Sequence, residues 1–470
     1  SLATLRHVFK CYGKTLRVAF FKAAHGLNPE LEAGYAANRV GVTRQLHFSK
    51  TSEKSLDVAL SINGIPVVSV ELKNPMTGQT VEHALHQYRH DRDPREPIFE
   101  FKRRMLVHFA ADTDTVFMTT RLAGAATHFL PFNKGRNEGE GNPPNPNGHK
   151  TAYLWEEVLT RESLAGIIQH FVLLEGKATQ PLAKKTLIFP RYHQLDVVRR
   201  LLSHAAATGV GHSYLIQHSA GSGKSNSITW AAYQLIDTYP AQVAVPGAKS
   251  LDQPLFDSVI VVTDRRLLDK QLRENIREFS EVKNIIAPAL KSADLKLALE
   301  QGKKIIITTI HKFGEAPGVL DARQNIIAMV DEAHRSQEGD YGQKMRGALP
   351  NAYLFGLTGT PINRRDRNTF KWFGAPDDEG GYLSRYSFQD SIRDGATLPL
   401  HFEPRLSEIH IDQEAIDTAF EELAADRDLS ESDKITLSKK AASIEVLIKT
   451  PSRIAKIAAD IASHFREKVE

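Results

Sequence analysis

A glycine-rich stretch, residues 218–225, reads His-Ser-Ala-Gly-Ser-Gly-Lys-Ser and lies between an apolar segment and a helix-forming segment. A strand, a glycine-rich loop and a Lys-Ser pair that opens a helix are typical of a loop that wraps nucleotide phosphates in backbone N–H groups. Lys224 would meet the β- and γ-phosphates, and Ser225 would bind Mg²⁺. At the head of the motif His218 stands where glycine is usual. The predicted nucleotide-binding residues are His218, Ser219, Ala220, Gly221, Ser222, Gly223, Lys224 and Ser225.

Two carboxylates at the end of a later apolar segment complete this candidate site. Residues 325–330 are apolar after the first position and are followed by Asp331-Glu332-Ala333-His334. A carboxylate at the carboxyl end of a parallel strand lies beside the phosphate loop, where Asp331 can hold Mg²⁺ and Glu332 can polarise the attacking water. Both halves of an ATPase site are therefore predicted. Because the acids are present, the alternative for the glycine-rich stretch, an ordinary Gly/Ser turn, is much less favoured.

Two weaker features accompany these motifs. Thr358-Gly359-Thr360-Pro361 follows another apolar strand, and Gln194 stands where a side-chain amide could read the edge of adenine. Each alone is equally compatible with a turn or a surface amide. In this order the motifs resemble the first motor domain of superfamily 2 helicases and translocases, and we expect Gln194, Thr358 and Thr360 to contact the nucleotide.

A second group of chemically capable residues lies near the amino terminus. Asp57 and Glu71-Leu72-Lys73 flank Asn63-Gly64, which is a strong hairpin signal between two short apolar strands. In a plain two-residue hairpin the two carboxylates would point to opposite faces of the sheet. A one-residue bulge or a three-residue turn would bring them to one face, and Pro66, which cannot donate to the ladder, favours such an irregularity. Facing carboxylates can bind Mg²⁺, while Lys73 stabilises developing charge.

This second group resembles the catalytic core of PD-(D/E)xK nucleases, although the usual proline before the first acid is Leu56 here. On its own the pattern is loose, because an acid and a Glu-x-Lys on half-buried strands usually form a solvated face. A core of this kind directly before a superfamily 2 motor resembles the restriction (motor) subunit of type I restriction-modification enzymes. The resemblance extends over residues 59–74 with Leu72-Lys73-Asn74-Pro75 after the glutamate, residues 79–93 with Gln87-Tyr88-Arg89, residues 217–225, and residues 386–399.

The resemblance implies specific roles. Asp57, Glu71 and Lys73 would form the nuclease site, with both acids binding metal, and Glu332 would serve ATP hydrolysis. Many family members carry a Gln-x-x-x-Tyr helix after the triad. Its glutamine position falls on Ala84, so Gln87 is the nearest substitute. The family also continues into a second motor domain, whose arginine completes the ATP site, and into a helical domain.

The implied activity is an ATP-dependent DNA translocase and Mg²⁺-dependent endonuclease that cleaves unmodified double-stranded DNA. ATP and Mg²⁺ are the expected cofactors, with S-adenosylmethionine only on the partner methyltransferase. The expected partners are double-stranded DNA and the methylation and specificity subunits. Alternatives are a type III or repair helicase-nuclease, and a nucleic-acid remodeller whose first domain only binds. Type III enzymes carry the nuclease after the motor, whereas here it comes first.

Composition sets the class of the molecule. Hydrophobic residues make up 41% and charged residues 25%, as in folded globular proteins. One cysteine excludes an internal disulfide, the net charge of +4 leaves nucleic acid open as a partner, and no apolar run approaches the roughly 18 residues of a membrane span. We expect a cytoplasmic location in a bacterium or archaeon, no membrane contact, and a chain that is a piece of a longer subunit.

The predicted fold class is α/β, with a mixed α/β nuclease-like domain, a doubly wound parallel-sheet RecA-like ATPase domain and a helical carboxyl-terminal segment. The predicted boundaries are 1–150 for the nuclease-like domain, 151–184 for a helical linker, 185–385 for the ATPase domain and 386–470 for a connector. Helices are expected at 414–425 and 438–469. The basic clusters at 102–104 and 364–367 could contact phosphates, although charge runs this short are more often solvated.

Overall fold

The structure is a computed structural model that describes residues 2–23, 28–135, 141–176, 180–264, 285–315, 318–334, 341–363, 368–399 and 451–468. The chain divides into one unit of residues 1–398 and a second of residues 399–470. The strands are β1 Phe9–Cys11, β2 Lys14–Leu16, β3 Val40–His47, β4 Ser55–Ile62, β5 Ile65–Leu72, β6 Val107–Ala111, β7 Val116–Thr119, β8 Leu130–Pro131, β9 Leu173–Glu175, β10 Thr186–Ile188, β11 Tyr214–His218, β12 Ser258–Thr263, β13 Ile286–Pro288, β14 Ile305–Thr309, β15 Ile326–Asp331, β16 Tyr353–Thr358 and β17 Ser384–Tyr386.

The helices follow the same chain order. They are α1 Leu2–Arg6, α2 Pro29–Ala37, α3 Val81–His90, α4 Arg161–His170, α5 Tyr192–Thr208, α6 Lys224–Leu235, α7 Ser292–Glu300, α8 His311–Gly314, α9 Tyr341–Ala348, α10 Thr369–Phe373, α11 Phe388–Arg393 and α12 Pro451–Lys468. None of the helices described is long and apolar enough to cross a bilayer.

The first sheet has the order β3-β4-β5-β6-β7-β8 and is antiparallel except between β5 and β6. The hairpin of β4 and β5 contains the irregularity predicted from Pro66. Ser61 pairs with Pro66, but Leu60 pairs with Val68, so Val67 is an extra residue on β5. This β-bulge shifts the register by one residue. Beyond it, the side chains of β5 therefore lie on the opposite face from the one that a plain two-residue hairpin would give them.

The second sheet has the order β13-β14-β12-β15-β16-β11-β17, and every strand pair is parallel. Its central strands are buried on both faces. In β12, Val259 and Val261 belong to one hydrophobic cluster, whereas Ile260 and Val262 belong to another. Alternate residues of a strand point to opposite faces, so both faces are covered. The predicted doubly wound parallel sheet is confirmed.

The two sheets share a hydrophobic core through the segment predicted as a linker. One cluster includes Val67 and Phe109 of the first sheet, Ile167 of α4, and Ile216 and Trp230 of the ATPase region. The ring of Phe189, just before α5, meets that of Phe109 edge to face with centroids 5.9 Å apart. The first unit therefore holds both predicted domains in continuous contact, because burial of this apolar surface favours their association.

The end of the first unit contains two elements that the sequence reading missed. β17 adds a seventh strand beside β11, and α11 follows it, so residues 386–398 lie in the same unit as the ATPase sheet. In the second unit α12 carries exposed Ile454, Ile461 and Phe465. The helix expected at 414–425 and the first part of that expected at 438–469 lie outside the described residues.

Candidate active sites

The phosphate loop connects β11 to α6, as its sequence predicts. Gly221 and Gly223 have φ of +79° and +80°, in the left-handed region that favours glycine. Lys224 opens α6, and its Nζ lies 3.5 Å from the Ser219 carbonyl oxygen and 3.8 Å from the Glu332 carboxylate. The lysine therefore points across the loop toward the acidic end of β15. This geometry fits a triphosphate bound by backbone N–H groups and one ammonium.

The amide of Gln194 braces this loop. Its Nε2 donates to the carbonyl oxygens of Ser222 and Gly223, each at 3.1 Å, and its Oε1 accepts from the Arg191 backbone N–H at 2.9 Å. A Cβ atom at position 223 would lie 2.3 Å from Nε2. Gln194 is 3% exposed, so the amide is committed to the loop backbone. An adenine edge would have to compete with these bonds.

The acidic pair follows β15 at the same edge of the sheet. Asp331 is almost buried, and burial, with Glu332 beside it, raises the pKa of Asp331 to about 6. Glu332 has φ of +50°, a conformation that non-glycine residues hold mostly where surrounding structure fixes it. His334 Nδ1 lies 3.5 Å from the Glu332 carboxylate and 2.7 Å from Thr358 Oγ1. The acids therefore lie in a fixed arrangement beside Lys224.

The remaining predicted contacts of the nucleotide site are placed less directly. Thr358 is buried, and its hydroxyl accepts from the Thr360 backbone N–H at 3.1 Å, while the Thr360 side chain is exposed. Ser225 lies in the first turn of α6, and its carbonyl accepts from the Thr229 hydroxyl. The nucleotide contacts expected of Thr358 and Thr360, and the Mg²⁺ contact expected of Ser225, remain predictions.

The unusual His218 is a buried packing residue. Its ring meets that of His193 edge to face at 5.1 Å, and its Nε2 lies 3.1 Å from Ser384 Oγ. Burial, with the positive charge of Lys224, lowers the pKa of His218 to about 3, so the imidazole is neutral. His193 in turn stacks on Tyr386 with centroids 4.0 Å apart. Histidine at the head of the loop therefore anchors the loop to β17.

Residues 384–397, which we call the strap, hold the phosphate loop from the other side. The Tyr386 carbonyl accepts from the Ser219 N–H at 3.0 Å, and the Thr397 hydroxyl donates to the Ala220 carbonyl at 3.1 Å. A largely buried ion pair of Arg191 and Asp394, with nitrogen and oxygen 3.0 Å apart, fixes the strap to the start of α5. The phosphate loop is thus held by hydrogen bonds to α5 on one side and to the strap on the other.

The amino-terminal carboxylates meet on one face because of the bulge. Val58 pairs with Val70, and continuing this register puts Asp57 opposite Glu71. Asp57 Oδ2 accepts from the Leu72 N–H at 2.9 Å and lies 3.6 Å from Lys73 Nζ. The structure therefore brings the three predicted nuclease residues together.

Glu71 is fully buried, and its two oxygens differ. Oε1 accepts from Arg92 Nε at 2.8 Å and lies 2.7 Å from Arg92 Nη2. Oε2 is buried and has no hydrogen-bond partner among the described residues. Burial raises the pKa of Glu71 to about 7; the Arg92 charge opposes this shift, and the neighbouring Asp57 carboxylate adds to it. A buried carboxylate oxygen without a donor is unfavourable unless a cation or another ligand takes it.

Gln87 and Tyr88 occupy different surroundings on α3. Tyr88 is buried, with its hydroxyl 2.8 Å from Ser69 Oγ, which also lies 2.7 Å from His108 Nδ1. Gln87 is partly exposed, and its Oε1 is buried with no hydrogen-bond partner in the described chain. No contact of Gln87 with the carboxylates is present among the described residues, so its catalytic role remains a prediction.

The donor set fits Mg²⁺ better than a metal that needs a full protein cage. Among the described residues no group of three or more His, Cys, Asp or Glu side chains could hold a metal. Asp57 and Glu71 supply two carboxylates, and Oε2 of Glu71 has no donor within the described part of the chain. Mg²⁺ commonly takes one or two carboxylates and completes its shell with water and substrate phosphate.

Two residues beside these carboxylates were missed by the sequence analysis. Gln45 on β3 has φ of +48°, and its Nε2 donates to Asp57 Oδ1 at 3.2 Å. Arg92 follows α3 and reaches back to Glu71. Arg92 stands four residues after Tyr88, a helical spacing that could have indicated it. Gln45 had no such signal, because its position depends on strand register.

Basic residues near the two sites are only partly accounted for. In the first cluster, Arg103 pairs with Glu100 at 2.9 Å, and Lys102 donates to the Leu182 carbonyl at 2.9 Å. The second cluster, residues 364–367, lies outside the described residues.

The parallel sheet, its phosphate loop and the acids at the end of β15 define a P-loop ATPase, here preceded by a nuclease-like domain. A profile described as the SWI2/SNF2 ATPase matches residues 193–434, slightly more than half of the chain. The chain therefore belongs to the SWI2/SNF2 ATPase family. A second profile, described as the type I restriction enzyme R protein N terminus, matches residues 18–127. The predicted resemblance to this kind of subunit is confirmed.

Similar proteins carry the same description. The type I restriction enzyme HindI endonuclease subunit of Haemophilus influenzae is 28% identical over 469 residues, which cover 92% of this chain and 40% of that protein. A putative type I restriction enzyme endonuclease subunit of Methanocaldococcus jannaschii, MjaIXP, is 26% identical, covering 88% of this chain and 39% of its own. The chain thus spans about two fifths of these relatives. The UvsW helicase of bacteriophage T4 superposes with a TM-score of 0.32 at 14% identity, over 49% of this chain and 68% of its own.

Proposed function

We propose that this chain is the nuclease and first motor part of a type I restriction endonuclease subunit, which translocates and cuts unmodified double-stranded DNA. The observation that carries the proposal is the order of two assembled sites in one unit. Asp57 and Glu71 share a face of the first sheet, and the phosphate loop with Asp331 follows in the second. A nuclease before the motor argues against a type III arrangement.

In the motor, each side chain has a distinct task when ATP and Mg²⁺ are bound. Lys224 neutralises phosphate charge, Ser225 and Asp331 hold Mg²⁺, and Glu332 orients the attacking water. Lys224 lies 3.8 Å from Glu332. We expect this contact to yield to the triphosphate, because a γ-phosphate is the stronger partner for an ammonium.

In the nuclease site, Asp57 and Glu71 hold Mg²⁺. The metal, when bound, polarises the phosphodiester and lowers the pKa of an attacking water. Lys73 lies 3.6 Å from Asp57 and is almost buried, so it can stabilise negative charge that develops on the phosphate.

DNA contact by the motor is supported by a cavity of about 410 Å³ at the end of β14, lined by Thr309, His311, Lys312, Tyr341 and Lys344 among others. Hydroxyl and ammonium groups are the usual donors to phosphate oxygens. Lys312 also lies 3.3 Å from Glu315, so DNA would replace that exposed pair. The methylation and specificity subunits as partners, and a cytoplasmic location, follow from the family resemblance.

The test measures ATP hydrolysis and DNA cleavage separately in the full-length subunit assembled with its partner subunits. Lys224→Ala should abolish ATP hydrolysis and leave methylation intact, whereas Asp57→Ala should stop cleavage and leave DNA-stimulated ATPase near normal. Lys296→Ala and Glu53→Ala, which change exposed residues of the same two regions, are the controls.

Two results would contradict the proposal. ATP hydrolysis at the wild-type rate in Lys224→Ala removes the ATP-site assignment. Undiminished cleavage in both Asp57→Ala and Glu71→Ala would leave a remodeller whose first domain only binds.

A further inference from the structure

Arg92 contacts Glu71 in an uneven way. A guanidinium and a carboxylate usually pair through two parallel bonds, so that both carboxylate oxygens receive a donor. Here two of the three guanidinium nitrogens of Arg92, Nε and Nη2, approach the same oxygen, Oε1, at 2.8 and 2.7 Å. The other oxygen is buried without a partner in the described chain. The ion pair therefore gives Oε1 two donors and leaves Oε2 able to take another ligand.

The guanidinium is itself fixed from several sides. Its Nη2 also donates to the Ser55 carbonyl at 2.9 Å, and its Cζ lies 5.6 Å from the centroid of the Phe48 ring. The Arg92 backbone N–H donates to the Gln87 carbonyl at 3.1 Å, which ties the residue to the end of α3. Arg92 is only 6% exposed. A side chain held in this way can fix the conformation of the group that it touches.

We infer that Arg92 is a positioning residue of the nuclease site, which holds Oε1 of Glu71 so that Oε2 is directed to a divalent cation. This inference rests on the proposed nuclease function. Arg92 would touch neither metal nor DNA in this role. An ion pair that served stability alone would gain from bonding both oxygens, and the geometry does not do so.

The experiment measures binding of Mn²⁺ alone to the 470-residue chain, from the electron paramagnetic resonance signal of the free ion. Four proteins are compared: wild type, Glu71→Gln, Arg92→Met and Arg92→Lys. Loss of a residue that orients a metal ligand typically weakens binding about 10- to 100-fold. We expect the dissociation constant to rise about tenfold or more in Arg92→Met. Arg92→Lys keeps the positive charge but not the planar guanidinium. Its dissociation constant for Mn²⁺ should lie between those of Arg92→Met and the wild type.

Thermal melting and binding of a fluorescent ATP analogue check that the variants fold. If Arg92→Met does not fold, Arg92→Lys decides, since it keeps a buried cation beside Glu71. Wild-type Mn²⁺ affinity in the folded Arg92 variants, with loss of binding in Glu71→Gln, would overturn this inference and leave the nuclease site intact. Absence of Mn²⁺ binding in the wild type, or full binding in Glu71→Gln, would overturn the metal site and this inference with it.

Discussion

His108 lies on β6 beneath the nuclease-like site and is 1% exposed. Burial lowers the pKa of its imidazole from 6.5 to about 3, and Nδ1 lies 2.7 Å from Ser69 Oγ. The folded protein therefore keeps this side chain neutral where an unfolded chain would bind a proton. The same holds for His218 in the phosphate loop. A neutral, buried histidine thus lies next to each candidate site.

The pH dependence of stability follows from His108. Its pKa is lower in the folded state, so its contribution is complete above pH 6.5 and is lost as the pH falls toward 3. Between pH 6.5 and 5 this one residue should cost about 2 kcal/mol of unfolding free energy. His108→Gln should remove that part of the pH dependence in urea unfolding, whereas exposed His128→Gln should not. An unchanged dependence in His108→Gln would show that this imidazole titrates in the folded protein as it does in the unfolded chain.

Gln194 offers a second test at a single residue. Its amide donates two bonds to the phosphate loop, so Gln194→Ala should loosen the loop for any nucleotide. Two lost hydrogen bonds at roughly 1 kcal/mol each correspond to at least about a tenfold weaker affinity. Affinities for ATP and GTP should fall by the same factor in fluorescence titrations, with exposed Gln253→Ala as the control. A loss confined to ATP would instead support the adenine contact predicted from sequence.

At the scale of elements, the bulge at Val67 decides whether the nuclease-like site exists. A strand alternates its faces residue by residue, so one extra residue moves every later side chain to the other face. Without it, Asp57 would pair with Val70, and the two acids would separate. Pro66 marks the position because it cannot donate to the ladder. One residue beside a turn therefore brings the two carboxylates of the proposed metal site together.

Engineered disulfides can test this register. In a chain with Cys11→Ser, Val58→Cys with Val70→Cys should form a disulfide, because these residues are directly opposite each other. Asp57→Cys with Val70→Cys, the pair that a plain hairpin would align, should remain reduced since the two side chains lie on opposite faces. Mass spectrometry of peptides under non-reducing conditions distinguishes them. Cross-linking of the second pair alone would mean that the bulge is absent.

Elements with strong local patterns were predictable from sequence. Ile65–Leu72 and Ser258–Thr263 are examples, because each is a short, largely apolar run bounded by turn residues, a pattern that predicts a strand. β17 was missed, since three residues carry too little pattern and its pairing with β11 joins distant parts of the chain. Gln45 and the contacts of the strap were missed for the same reason, whereas the helical spacing of Arg92 from Tyr88 was a local signal that went unused. Local sequence predicts strands and motifs, whereas these contacts depend on register and topology.

At the scale of the whole molecule, the strap makes the ATPase region longer than its motifs suggest. A chain ended at residue 385, the predicted domain boundary, keeps every predicted nucleotide contact but loses Tyr386 and Thr397, which bond the phosphate loop. We expect residues 1–385 to bind a fluorescent ATP analogue at least about tenfold more weakly than residues 1–398, at roughly 1 kcal/mol for each lost bond. Equal affinity of the two chains would mean that the strap is dispensable.

The strap also fixes when the phosphate loop can be completed during synthesis. Ala220 and Thr397 are 177 residues apart, and ribosomes add about 5–20 residues per second, so the loop waits on the order of 10–35 s for its partner. For most of that interval β11 lacks both neighbouring strands, because β16 ends at residue 358 and β17 at residue 386. Unpaired strand edges promote aggregation. A pause in translation between codons 220 and 397 should therefore lower the yield of soluble protein more than an equal pause after codon 400.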